Sequence, residues 1–113
     1  MSRDTVNTIC AALPGAEVSE PFGPGIDAWK IGGKIFACRG VRGGVAVKTD
    51  GVETAEMLID AGIGTKAPYF HRSWVLLPEE AAEDELAHRI GASYRIVRAG
   101  LSKSARAALP PHD

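Results

Sequence analysis

Apolar residues recur along the chain with two different periods, and the switches between them mark the elements. Val6, Ile9, Cys10 and Leu13 fall at i, i+3, i+4 and i+7, the spacing that gathers side chains on one face of a helix. Ser2 or Asp4 is its N-cap and Pro14-Gly15 its stop. Glu17 to Phe22 can extend as a strand, and the segment from Phe22 to Ile26 reads as a loop because two glycines and a proline leave no regular period. Residues 27–31 and 34–39 then alternate around Gly32-Gly33, which predicts a hairpin closed by a two-residue turn. In that register Ile31 pairs with Lys34 and Trp29 with Phe36. Trp29, Ile31 and Phe36 share one face, the expected core face. Ala28, Lys30, Ile35, Ala37 and Arg39 share the other.

A second turn over residues 40–44 leads into Val45-Ala-Val-Lys-Thr49, a third strand of the same meander. The face away from the core carries small alanines with Lys30, Arg39 and Lys48. Residues 51–61 predict a helix with Val52, Ala55, Leu58 and Ile59 as its stripe, stopped by Gly62-Ile-Gly64. Pro68-Tyr-Phe70 and Trp74-Val-Leu-Leu77 read as two more short strands joined through His71-Arg-Ser73. Leu86, Ile90, Tyr94, Val97 and Leu101 mark one face of a long last helix beginning within Glu79 to Glu83, whose acidic start suits the positive end of the helix dipole. The resulting order is α-β-β-β-β-α-β-β-α, an α+β two-layer domain whose antiparallel sheet has its helices on one side. One domain is expected over residues 1–101, followed by a frayed C-terminal tail over 102–113.

Composition narrows the class. The chain has 113 residues, 45% hydrophobic and 24% charged, which suits one folded soluble domain and excludes collagen, coiled coil and disorder. With 13 basic and 14 acidic side chains the formal charge is −1, so the molecule as a whole does not attract nucleic acid. Cys10 and Cys38 are too few for a disulfide framework, and no run reaches the ~18 apolar residues of a membrane span. The expected setting is the cytoplasm, with reduced thiols, no membrane association and a monomer.

Several segments in a fixed order are similar to the MmcQ/YjbR family: Leu13-Pro-Gly15, Pro21-Phe-Gly23, residues 30–37, Val45-Ala-Val-Lys48, residues 68–74 and Ser93-Tyr-Arg-Ile-Val97. Together they run from about Ile9 to Leu101. The resemblance implies a double-wing, secretion-chaperone-like α/β fold and a DNA-binding role through basic wings. In the segment before the tryptophan, where the family is often richer in lysine, this chain offers His71 and Arg72.

Charge is segregated along the chain in a way the net value hides. Residues 28–49 hold five basic side chains (Lys30, Lys34, Arg39, Arg42 and Lys48) and no acidic one, and residues 50–60 hold four acidic and no basic. Residues 89–106 again hold five basic and no acidic. Lys and Arg side chains with backbone N–H groups of glycine turns position phosphates, so the Gly40–Gly44 turn with Arg39 is a candidate anion cradle. Against this stands the reading of the same residues as surface charges neutralised by the acidic helices. The candidate nucleic-acid-binding set is Lys30, Lys34, Arg39, Arg42, Lys48 and Arg72, with His71 and Trp74 as accessories. An alternative of another class is a protein- or peptide-interaction module that uses the sheet face or edge. No Cys/His pairing signal argues for a nucleophile, His71, His88 and His112 are too scattered for a metal site, and no cofactor is implied. The expectation is a non-enzymatic protein.

Overall fold

In the computed structural model, which describes residues 3–40 and 42–112, the apolar stripe read from the last helix closes over the apolar face read from the hairpin. The elements are α1 (Arg3–Ala11), β1 (Glu17–Ser19), β2 (Asp27–Ile31), β3 (Lys34–Arg39), β4 (Val45–Lys48), α2 (Val52–Asp60), β5 (Thr65–Lys66), β6 (Trp74–Leu77), α3 (Glu83–Ala99) and α4 (Lys103–Ala107). The strands form one antiparallel sheet in the order β1-β2-β3-β4-β6-β5. The fold is α+β, as the periodicities predict. Val6 and Cys10 of α1, Ala55 and Leu58 of α2, and Leu86, Ile90, Tyr94 and Val97 of α3 all bury against Trp29, Ile31, Phe36, Val45, Val47, Val75 and Leu77 of the sheet. All these helices therefore lie on one face. The other face carries a thinner cluster of Ala28, Cys38, Ala46, Ala67 and Trp74.

Gly32 and Gly33 take φ of +57° and +81°, the left-handed values a two-residue hairpin turn demands, and Ile31 pairs with Lys34 as expected. Beyond that the register departs. Lys30 pairs with Ile35, but Trp29 pairs with Ala37, so Phe36 is an extra residue in β3, a β-bulge. A single extra residue reverses the side-chain alternation beyond it. Ala37 accordingly joins the helix-side core and Cys38 the opposite face, and Arg39 pairs across strands with Asp27 and Val45 on the helix side. The sequence expectation had placed Ala37 and Arg39 outward with Lys30.

The bulge leaves two backbone groups without ladder partners, and Ser93 of α3 serves both. Its hydroxyl donates to the Phe36 carbonyl at 2.6 Å and accepts from the Lys48 amide at 2.8 Å. This pairing explains a fully buried serine in the middle of an apolar helix face. A second buried polar group, Asp27, takes both Nε and Nη2 of Arg3 at 2.6 and 2.7 Å, and Asn7 of α1 accepts from the Trp29 indole at 2.9 Å. These bonds tie α1 to β2. The Asp27 carboxyl is held below the usual carboxylate range by its hydrogen bond to Arg3, against the opposing effect of burial.

Two further elements differ from expectation. Residues 68–70 form a turn, and the strand beside β6 is the earlier, two-residue β5. Residues 102–112, expected as a frayed tail, hold α4, capped by the Ser102 hydroxyl accepting from the Ala105 amide at 3.1 Å. Arg106 donates to the Ala99 carbonyl at the end of α3, Arg98 to the Pro110 carbonyl, and His112 meets the Tyr94 ring edge-on at 4.7 Å. Of the two cap candidates for α1, Asp4 sits inside the helix and Ser2 lies outside the described residues. Cys10 and Cys38 are free and buried, and burial pushes the Cys10 thiol up to about 12. No described helix is long and apolar enough to cross a membrane.

Candidate functional site

Antiparallel pairing sorts the basic residues to the two ends of the sheet. The β2–β3 turn, the end of β4 and the start of β6 lie at one end, and the β3–β4 turn lies at the other. Lys34, Lys48 and the loop with His71 and Arg72 therefore share the first end, with Lys30 one residue in from it. Arg39 and Arg42 belong to the second.

At the second end the anion cradle exists, and the protein's own carboxylate occupies it. The Gly44 amide donates to Glu79 Oε2 at 3.0 Å, and Arg39 Nη2 lies 3.8 Å from Glu79 Oε1. The Arg39 side chain is only 13% exposed, donates to the Gly40 carbonyl, and buries its Nε without a partner. The chemistry read from the glycine turn and Arg39 is present, but it closes the loop before α3 onto the sheet. Val41, within that turn, lies outside the described residues. Arg42 is exposed there, across the length of the sheet from Lys34 and Lys48.

At the first end the lysines are free. A cleft of about 420 Å3 opens between the sheet and the C-terminal half of α3, lined by Lys34, Ile35, Lys48, Trp74, Ile96 and Leu101 among others. A smaller cavity of about 110 Å3 continues past Lys48 and Ile96 to Asp50, Thr54 and Arg89. Neither lysine has an ion-pair partner among the described residues. Arg89 is paired with Glu85 at 2.8 Å, and Asp50 accepts from the Thr54 hydroxyl. Lys30 points to the face without helices, directly across from Glu17 of β1, so its charge is partly offset there.

Trp74 pairs across strands with Lys48 and is 9% exposed. Phe70 stacks on it at 4.5 Å and 30°, so its ring belongs to the packing of this end. His71 and Arg72 are exposed. His71 Nδ1 accepts from the Ser73 amide at 3.1 Å and lies 2.8 Å from the Ser73 hydroxyl. Sequence reasoning missed Ile96, whose place in the cleft depends on how α3 crosses the sheet, and Glu79, the internal anion. Tyr69, expected within a strand, stands fully in solvent on a turn. Among the described residues no three His, Cys, Asp or Glu side chains are grouped so as to hold a metal ion.

The YjbR family profile matches residues 11–96, most of the chain and every strand of the sheet. The chain belongs to the YjbR family. A relative of this YjbR domain, the uncharacterized protein YbdF of Escherichia coli O157:H7, is 31% identical over 107 residues, covering 89% of this chain and 88% of its own. The crystal structure of the Deinococcus radiodurans protein DR2400, a DUF419 domain, superposes with a TM-score of 0.79 at 20% identity, over 92% of this chain and 84% of that one. That likeness establishes the YjbR domain's fold from a second direction.

Proposed function

We propose that this YjbR domain is a non-enzymatic module that holds DNA weakly and without sequence specificity, through phosphate contacts from Lys34, Lys48 and Arg72 with Lys30 beside them. The observation that carries the reading is that Lys34 and Lys48 line one cleft and neither has an ion-pair partner among the described residues. An unpaired ammonium group gives up little on meeting a phosphate, whereas Arg39 would first have to leave Glu79. Lysine and arginine contacts to phosphate position a backbone and read no sequence.

Three or four phosphate contacts predict a dissociation constant of about 10⁻⁴ to 10⁻⁶ M at physiological salt and a log–log salt slope near −3 on duplex. Titrating labelled DNA with the protein at increasing salt tests this. Binding that strengthens with that slope as salt falls supports the reading, and no binding at low salt with tens of micromolar protein removes it.

A second reading, docking of a peptide along the sheet edge, is favoured by the open strand β1, all of whose residues are exposed. Val18 there and Phe22 just beyond are large exposed apolar side chains. Edge addition uses main-chain hydrogen bonds, so charge reversal at Lys48 leaves it intact while weakening phosphate binding about tenfold or more.

A further inference from the structure

Tyr69 is 106% exposed and is the one described residue other than glycine with positive φ, at 71°. A left-handed backbone is costly for an L-residue with a bulky side chain, and such strain persists where the surroundings impose it. Folding gives this side chain no burial in return.

The surroundings that impose it are specific. Pro68 precedes Tyr69, the Phe70 amide donates to the Ala67 carbonyl at 3.3 Å, and the Phe70 ring lies on Trp74. On the far side the Trp74 amide donates to the His71 carbonyl at 2.9 Å, and His71 Nδ1 takes the Ser73 amide. The Ser73 carbonyl accepts from both the amide and the hydroxyl of Thr49, at 2.8 and 2.6 Å. The loop is thus pinned to Thr49, the neighbour of Lys48, and to Trp74, its cross-strand partner. The loop therefore holds one aromatic ring in water at the end of the sheet where Lys48 lies, with Arg72 exposed on the same loop.

We infer that Tyr69 is a stacking platform for an unpaired base, which makes single-stranded nucleic acid the form this surface takes; the inference rests on the phosphate-binding reading above. Surfaces that bind single strands combine a basic track for the backbone with aromatic rings on which bases stack without regard to sequence. Bases in a duplex are already stacked on one another, so the ring has nothing to add there.

The test is fluorescence anisotropy with a labelled oligothymidylate and a labelled duplex of equal length at low salt, using the wild type, Tyr69→Ala, Tyr69→Phe and Tyr69→Asn. The single strand binds more tightly than the duplex. Tyr69→Ala weakens the single strand about tenfold, the lower part of the range for one stacked base, and leaves the duplex unchanged, while Tyr69→Phe keeps the wild-type affinity. Asn tolerates the left-handed conformation, so Tyr69→Asn melts no lower than the wild type and still loses single-strand affinity, which separates lost stacking from lost folding. Equal single-strand affinity in Tyr69→Ala and wild type overturns the inference, as does a duplex bound as tightly as the single strand. If Lys48→Glu still weakens DNA binding about tenfold or more, the phosphate reading stands alone. A wild-type protein that binds neither DNA overturns both.

Discussion

Ser93→Ala removes one oxygen and leaves two buried backbone groups unpaired. The Lys48 amide loses its acceptor at 2.8 Å and the Phe36 carbonyl its donor at 2.6 Å, in a position with no exposure to water. A buried donor or acceptor left without a partner costs about 1–3 kcal/mol, and a carbonyl is the more tolerant of the two. The pair together therefore costs about 2–4 kcal/mol, whereas a generic buried Ser→Ala change that strands nothing is close to neutral. Urea unfolding followed by Trp fluorescence measures it. With a slope of about 1–3 kcal/mol/M the midpoint falls by roughly 1–2 M at unchanged slope. Amide exchange at Lys48 accelerates more than at Val45, because only the former loses its acceptor. A midpoint within about 0.3 M of the wild type, less than 1 kcal/mol by the same slope, would refute the account of the bulge as a defect repaired by α3.

Two further outcomes follow from the same geometry. A Cβ on Gly32 would meet Leu101 Cδ1 at 2.5 Å on a residue held at φ +57°, so Gly32→Ala destabilises by about 1–3 kcal/mol and lowers Tm by about 5 °C or more; an unchanged Tm contradicts the turn geometry. The Asp27 carboxyl is lowered in the folded state by the Arg3 hydrogen bond, so its stabilisation is complete above the unfolded value of about 3.9 and is lost as pH falls through the depressed folded value. Asp27→Asn therefore costs about 1–2 kcal/mol at neutral pH, discounted for the half-exposed Arg3, and its disadvantage shrinks on acidification. Parallel stability–pH curves for the two proteins would exclude this ion pair as the cause.

The stripe Leu86, Ile90, Tyr94, Val97 and Leu101 and the Gly32-Gly33 turn were legible in the chain because each rests on a local period or a local backbone demand. The bulge at Phe36 was not, since one extra residue inside an apolar strand leaves no compositional mark. Its partner Ser93 lies 57 residues away. That single miss moved Arg39 from the expected outward row to the helix side, where it meets Glu79. Antiparallel pairing separately divides the six-residue candidate set between the two ends of the sheet, and Glu79 engages Arg39 at the second. Pro68-Tyr-Phe70 has the composition of a strand, and only the packing of Phe70 on Trp74 explains why Tyr69 is turned out instead. The segment-by-segment charge count located the basic strands; which of those charges are unpaired depended on long-range pairings that no spacing encodes.

The central claim is that the free end of the sheet, and not the occupied one, holds phosphate. Its most direct test compares Lys34→Glu, Lys48→Glu and Arg42→Glu, each changing the net charge equally, for binding to labelled DNA across a salt series. The account predicts that Lys34→Glu and Lys48→Glu each lower affinity at low salt by about tenfold or more and each flatten the salt slope by about one, while Arg42→Glu leaves both near wild type. Equal losses from all three would mean net charge alone is being read, and a loss confined to Arg42→Glu would contradict the assignment of the site.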